Sequence, residues 1–88
     1  MSYPLDFTSK AKEDIEFFKK SGNKAILKKI KTLIEEISES PYSGTGKPEP
    51  LKHDLSGFWS RRINREHRLT YEVTEKFIII LSLKGHYE

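Results

Sequence analysis

The sequence predicts an α+β domain made of a short N-terminal strand, an antiparallel two-helix hairpin and an antiparallel β-meander. Three observations support this fold class. Apolar residues recur at helical spacing between residues 23 and 40, and apolar and polar residues alternate between residues 67 and 74. A segment rich in proline and glycine, residues 41–50, separates the two patterns and is predicted to be a loop.

The first strand is short and contains a proline. Tyr3, Leu5 and Phe7 alternate with Pro4 and Asp6, which predicts a strand at a sheet edge, since proline cannot donate to a neighbouring strand. We expect this first strand to pair beside the last strand of the sheet.

Two helices are predicted next. The first begins after Thr8 or Ser9 as the N-cap and continues to about Ser21, with an apolar face of Ala11, Ile15 and Phe18. Gly22 is a natural stop and Asn23 a natural cap for the second helix, which Pro41 ends. The stripe of the second helix spans under three heptads, which favours packing on the protein's own sheet over a coiled coil. Its members are Ile26, Leu27, Ile30, Leu33, Ile34 and Ile37.

In the second half of the sequence, three strands are predicted, at residues 59–64, 67–74 and 77–83. Leu69, Tyr71 and Val73 alternate with polar neighbours and give that strand one core face and one polar face. The run from Phe77 to Leu81 is apolar on both faces, which indicates a central strand.

Size and composition limit the function classes. The 88 residues are expected to form one domain, residues 1–88. A net charge of +3 fits a polyanionic partner without proving one, and the absence of cysteine excludes disulfides and thiolate metal sites. We expect a cytoplasmic protein with no membrane association, because no secretion signal is recognisable and the longest apolar stretch is too short to span a bilayer.

All four arginines fall between Arg61 and Arg68, and arginine binds phosphate through a planar fork of donors. Arg62 and Arg68 are predicted on the polar face of adjacent strands, where they could straddle one phosphate. Arg61 has the opposite parity and Arg65 lies in a turn, so both are expected to make backbone contacts or face solvent. Surface ion pairs are the alternative for any strand arginine.

Other residues of the second half complete a set suited to metal-free cleavage of RNA. Glu49, held between two prolines, is the candidate base for the 2′-hydroxyl, and His86 is the candidate acid for the leaving oxygen. Lys52 could assist the phosphate, and Tyr87 could stack on a base or anchor the terminus. His53 and His67 lack close ligand spacing, so no metal and no cofactor are predicted.

The motifs GKPEPLKH (residues 46–53), LSGFWSRRI (55–63) and EHRL (66–69) closely resemble the YoeB/Txe toxins of the RelE superfamily. The resemblance covers essentially the whole chain. It implies a compact α+β toxin that binds the ribosomal A site, with 16S rRNA as a partner, and stops translation by cutting mRNA there. It also implies that a cognate antitoxin binds the toxin, and that the pair represses its own operon, with the toxin reaching operator DNA only through the antitoxin complex. Homodimers are implied as well.

The resemblance also assigns residues. The family's catalytic glutamate matches Glu49 and its terminal histidine and tyrosine match His86 and Tyr87. Its phosphate-binding arginines match Arg62 and Arg68, its assisting lysine matches Lys52, and we add Arg61 to the candidate phosphate-binding residues. The family pattern commonly stops at the His-Tyr pair, whereas Glu88 follows it here and would favour a protonated His86 and repel RNA phosphates.

Two other functions remain open. A non-catalytic member of the superfamily, binding gyrase or acting only as a corepressor, would keep the fold and the arginines but need neither Glu49 nor His86. A plain RNA-binding module would show salt-sensitive affinity without a cleaved product. The joint presence of a candidate acid and base favours the nuclease.

Overall fold

Two helices and a five-stranded sheet make up the fold. The computed structural model describes residues 2–51 and 57–85. Within them the elements are β1 (Leu5–Phe7), α1 (Ser9–Ser21), α2 (Lys24–Glu39), β2 (Glu49–Pro50), β3 (Phe58–Arg62), β4 (Arg68–Val73) and β5 (Ile78–Ser82). The predicted α+β class and the order of strand, helices and meander are confirmed.

Capping residues set the helix boundaries as predicted. The Thr8 hydroxyl accepts a hydrogen bond from the N–H of Ala11 at 3.0 Å, and the Asn23 side chain accepts one from the N–H of Ile26 at 3.0 Å. Gly22 ends α1 at φ 72°, in the left-handed region that favours glycine. The short connection leaves α1 and α2 packed against each other as a hairpin.

The strand order of the sheet is β1-β5-β4-β3-β2. β1 runs parallel to β5, with Leu5 opposite Ile78 and Phe7 opposite Ile80, and the other neighbouring strands are antiparallel. The prediction that the first strand lies beside the last is therefore confirmed. β5 is an internal strand, which explains its continuous apolar sequence.

A bulge changes the phase of β5 near its end. The register between β4 and β5 shifts between Thr70 and Tyr71, so that Leu81 is an extra residue in β5. The hydroxyl of Thr8 donates to the carbonyl of Leu81 at 2.8 Å, so the N-cap of α1 also fixes the bulge. Beyond it, the side chain of Leu83 is fully buried in the core.

Both helices pack on one face of the sheet. Leu69 and Tyr71 of β4 are fully buried there, in one cluster with Leu33 and Ile37 of α2. We call the opposite face the open face; by strand alternation it carries Glu49, Ser60, Arg62, Arg68 and Thr70. Among the described residues, no helix has the length and apolar character needed to cross a bilayer.

One element departs from the predicted loop. Glu49 and Pro50 form β2, an edge strand in which Glu49 pairs with Ser60 and Pro50 with Trp59. The N–H of Leu51 donates to the carbonyl of Phe58 at 2.9 Å. The backbone N–H groups of an edge strand point alternately towards the neighbouring strand and away from it. Pro50 occupies a position that points away, where no backbone donor is needed. Pro50 is therefore compatible with an edge strand as well as with the predicted loop.

Candidate active site

Glu49 reaches the open face through β2. Its pairing with Ser60 places it next to the middle of β3, and the prolines on either side limit its backbone freedom. Its side chain is 63% exposed. The carboxylate is thus held at a sheet edge and remains accessible to a ligand.

Arg62 and Arg68 lie directly opposite each other on β3 and β4. Nε of Arg68 donates to the hydroxyl of Ser60 at 3.1 Å, and its Nη2 lies 4.0 Å from Oε2 of Glu49. The Arg68 side chain is 16% exposed, whereas Arg62 is exposed. The structure therefore places Arg62 opposite Arg68, as predicted for the two strand arginines, and also brings Glu49 next to Arg68, whose guanidinium Ser60 orients.

The electrostatics of this site favour an anion. Like charges directly opposite each other on neighbouring strands repel, and Arg62 and Arg68 form such a pair. Glu49 offsets part of the charge, but at 4.0 Å its contact with Arg68 is at the outer limit of an ion pair. A phosphate between the two guanidinium groups would relieve the repulsion and accept their hydrogen bonds.

Arg61 has a different role from the predicted one. Its side chain is 0% exposed, and its five N–H groups are all used within the protein. They donate to the Tyr71 hydroxyl at 3.2 Å, the Glu36 carboxylate at 3.3 Å, and the carbonyls of Thr45 at 3.2 Å, Ser40 at 2.6 Å and Ser43 at 2.8 Å. The structure therefore does not place Arg61 among the residues that can bind phosphate, because none of its donors remains for a phosphate.

Two groups around Arg61 have shifted pKa values. Hydrogen bonds from the backbone and side chain of Thr45, with a further contribution from the Arg61 charge, lower the pKa of Glu36 from its usual 4.5. Burial raises the pKa of Tyr71 above 10.0, and its hydroxyl donates to the carbonyl of Pro41 at 2.6 Å. The buried Arg61 and Tyr71 and the partly exposed Glu36 thus form a polar network that holds the segment leading to Glu49.

The remaining predicted residues divide into two groups. Arg65 is exposed in the turn between β3 and β4, away from the strands, as expected. Lys52, His86 and Tyr87 lie outside the described residues, as do His53 and Glu88. The described chain ends at Gly85, whose carbonyl accepts a hydrogen bond from the N–H of Arg68 at 3.0 Å.

Sequence reasoning missed two polar side chains near the site. Asp14 is buried in α1 and His67 is partly buried before β4, and both accept hydrogen bonds from the backbone that precedes His86. Asp14 had a recognisable signal, because it occupies the same helical stripe as Ala11 and Phe18. A carboxylate in an apolar stripe requires a buried partner.

No group of three or more histidine and carboxylate side chains gathers as a metal site within residues 2–51 and 57–85. The arrangement offers instead a carboxylate next to one guanidinium group, with a second arginine directly opposite on the neighbouring strand. This set can accept a proton and stabilise negative charge on phosphate.

Comparisons with known proteins agree with this reading of the fold. The toxin YoeB of Synechocystis sp. is 46% identical over 84 residues, 96% of each chain. The structure of a YoeB/ParE toxin from Agrobacterium tumefaciens superimposes with a TM-score of 0.88 at 37% identity, covering 96% of this chain and 99% of that one. A YoeB dimer from Staphylococcus aureus superimposes with a TM-score of 0.85 at 42% identity, covering 99% of this chain and 100% of that one. The toxin in a Staphylococcus aureus YoeB–YefM complex gives 0.81 at 43% identity, with the same coverage.

The helices on one sheet face and the charged residues on the other define a protein of the RelE-like α+β class. A family model described as the YoeB-like toxin of bacterial type II toxin–antitoxin systems matches residues 7–87. The chain belongs to this toxin family.

Proposed function

We propose that this toxin is a metal-free endoribonuclease that cuts mRNA in the ribosomal A site and so inhibits translation. The observation that carries the proposal is the juxtaposition of Glu49 and Arg68, 4.0 Å apart on the open face, with Arg62 directly opposite Arg68. A binding surface for phosphate needs the arginines alone. A carboxylate beside them adds a group that can take a proton.

The chemistry uses the substrate's own 2′-hydroxyl as the nucleophile. The Glu49 carboxylate removes its proton as the 2′-oxygen bonds to phosphorus, and the bond from phosphorus to the 5′-oxygen breaks. His86 donates a proton to the departing 5′-oxygen. The products are a 2′,3′-cyclic phosphate on one fragment and a 5′-hydroxyl on the other.

Positive charge stabilises the transition state of this step. Arg68 is oriented by Ser60 and largely shielded from water, so its charge acts on the phosphate with little reorganisation. Arg62 supplies a second charge from the neighbouring strand. Lys52 assists at the phosphate, and Tyr87 stacks on a base of the bound message.

Primer extension on a translated mRNA with purified ribosomes tests the proposal. Wild type is compared with the double variant Glu49→Ala/His86→Ala and with Glu75→Ala, a matched control in the exposed turn between β4 and β5. We expect new breaks at A-site codons with wild type and Glu75→Ala, and none with the double variant. The fragments should end in a cyclic phosphate and a 5′-hydroxyl.

A folded wild-type protein that produces no breaks would overturn the proposal in favour of a non-catalytic toxin, with gyrase as the next target to assay. Salt-sensitive binding of RNA without a product would instead indicate a plain RNA-binding module.

Related structures support a proposal about protein partners. The related Staphylococcus aureus structures are of a YoeB dimer and a YoeB–YefM complex. We expect this toxin likewise to bind a cognate antitoxin, to reach operator DNA only in that complex, and to form a homodimer that covers the half-buried Ile79 of the open face. Co-purification with the antitoxin and light scattering of the toxin alone measure both associations.

A further inference from the structure

Three consecutive backbone N–H groups at the end of the described chain are bound by side chains from other elements. Oδ2 of Asp14 accepts from the N–H of Leu83 at 2.9 Å and of Lys84 at 3.2 Å. Nδ1 of His67 accepts from the N–H of Gly85 at 2.9 Å. The next residue in the sequence is His86. We call Leu83–Gly85 the tail anchor.

Asp14 is a buried carboxylate with no part in the chemistry proposed above. It is 4% exposed, and its second oxygen accepts a hydrogen bond from Nζ of Lys10 at 2.6 Å. Burying a carboxylate is costly unless its oxygens are satisfied. Here both oxygens have partners, and two of the three bonds go to the tail anchor, so holding that segment is the role the contacts support.

His67 connects the tail anchor to the candidate active site. Its ring packs edge-on against Phe18, with centroids 5.1 Å apart, and this contact fixes the direction of Nδ1. Arg68, the next residue, donates its own N–H to the carbonyl of Gly85 at 3.0 Å. The two backbone groups of Gly85 are therefore bound by two adjacent residues, of which one is the arginine opposite Glu49.

We propose that Asp14 and His67 are positioning residues, which fix the tail anchor beside Arg68, and it is from this anchor that the chain continues to His86. This inference rests on the proposed nuclease function. Neither side chain contacts the substrate or the reacting atoms. Their contribution is to fix the segment immediately before the proposed general acid, because a displacement of about 1 Å in a reacting group can lower a rate about 100-fold.

Amide exchange and cleavage kinetics on the full chain test this proposal together. Asp14→Ala removes the acceptor, and Asp14→Asn keeps an acceptor oxygen but removes the charge. His67→Phe preserves the aromatic contact with Phe18 and removes Nδ1. Glu13→Ala, at an exposed neighbouring position of α1, is the matched control.

We expect Asp14→Ala to speed exchange of the Leu83 and Lys84 amides by about tenfold or more, and His67→Phe to do the same for Gly85. The kcat for cleavage of ribosome-bound mRNA should fall about 100-fold in Asp14→Ala and about tenfold in His67→Phe, with KM within about threefold of wild type. Asp14→Asn should restore part of both properties, and Glu13→Ala should match wild type.

The outcomes separate this inference from the proposed function. Unchanged exchange at the tail anchor in the Asp14 and His67 variants, or loosened exchange with a wild-type kcat, would overturn the positioning role alone. A wild type that does not cut would overturn the nuclease and the positioning role together. If Asp14→Ala does not fold, wild-type kcat in both Asp14→Asn and His67→Phe would overturn the positioning role.

Discussion

Adjacent arginines of β3 have opposite environments. Arg61 points towards the helices, is fully buried and uses every donor within the protein, whereas Arg62 points to the open face and is exposed. Strand alternation alone requires that the two side chains point in opposite directions. At the residue scale, one guanidinium stabilises the fold and the other is available for a phosphate.

Arg61→Lys tests the structural half of this division. A lysine ammonium cannot reproduce the planar five-donor pattern, so several carbonyls would lose their partners inside the protein. We expect the free energy of unfolding to fall by about 3–5 kcal/mol, the range for disrupting a buried charge network. Urea denaturation measures it, and the exposed Arg62→Lys should change it by less than about 0.5 kcal/mol. Equal stability losses in the two variants would contradict the assignment.

Arg68→Ala tests the proposed role of the open-face arginines in phosphate binding. Removing the guanidinium that Ser60 orients should lower the cleavage rate about 100- to 1000-fold, as expected for the loss of a preorganised charge at a phosphate. Arg65→Ala, in the exposed turn, should cut at nearly the wild-type rate. The measurement is single-turnover cleavage on ribosomes, and matching rates for the two variants would remove Arg68 from the site.

At the element scale, the segment between α2 and β2 depends on one buried network. The carbonyls of Ser40, Ser43 and Thr45 all accept from Arg61, and the Gly46 carbonyl accepts from the N–H of Arg62 at 2.7 Å. Glu49 follows three residues later. The position of the candidate base therefore depends on contacts made upstream in the loop.

Gly46→Ala should disturb this segment. Gly46 has φ +86°, and an added Cβ would meet the carbonyl oxygen of Arg62 at 2.9 Å and Leu33 at 3.1 Å. We expect a loss of about 1–3 kcal/mol in unfolding free energy and slower cleavage. Gly22→Ala, at φ +72° with nothing within 4 Å, should cost only about 1–2 kcal/mol and leave the cleavage rate per folded molecule unchanged. Thermal unfolding and the cleavage assay together separate the two effects.

Elements with a regular period could be predicted from the sequence, and contacts between distant segments could not. The alternation in β4 predicted that Arg68 lies on the polar face, and the stripe of α2 predicted Leu33 and Ile37 in the core. The partners of Arg61 are loop carbonyls, which no periodicity reveals. The apolar stripe of α1 marks Asp14 as a buried carboxylate, but its partners at the end of β5 become evident only from the folded structure.

At the scale of the whole molecule, the free energy of unfolding should depend on pH in the acid range, and the Glu36 carboxylate should contribute to that dependence. Its pKa is lowered in the folded protein from the usual 4.5, mainly by hydrogen bonds from Thr45. Such a group contributes stability above its unfolded pKa, and the contribution is lost as the pH falls through the folded pKa.

Unfolding free energy measured by urea denaturation across the acid range tests this linkage. Glu36→Gln should be less stable than wild type at neutral pH, and the difference should shrink as the pH falls below 4.5. Glu35→Gln, at an exposed neighbouring position, should follow the wild-type pH profile. A stability difference between Glu36→Gln and wild type that stays constant with pH would exclude the linkage.

The sheet order also constrains when the toxin becomes complete during its own synthesis. Of the described strands, β5 is the last in sequence but lies between β1 and β4, so β1 cannot pair with it until residues 78–82 have left the ribosome. Pairing the first strand with the last gives a high contact order, which slows folding. A nascent chain therefore cannot close its sheet until β5 has emerged, so pairing of the first and last described strands is a late step of folding.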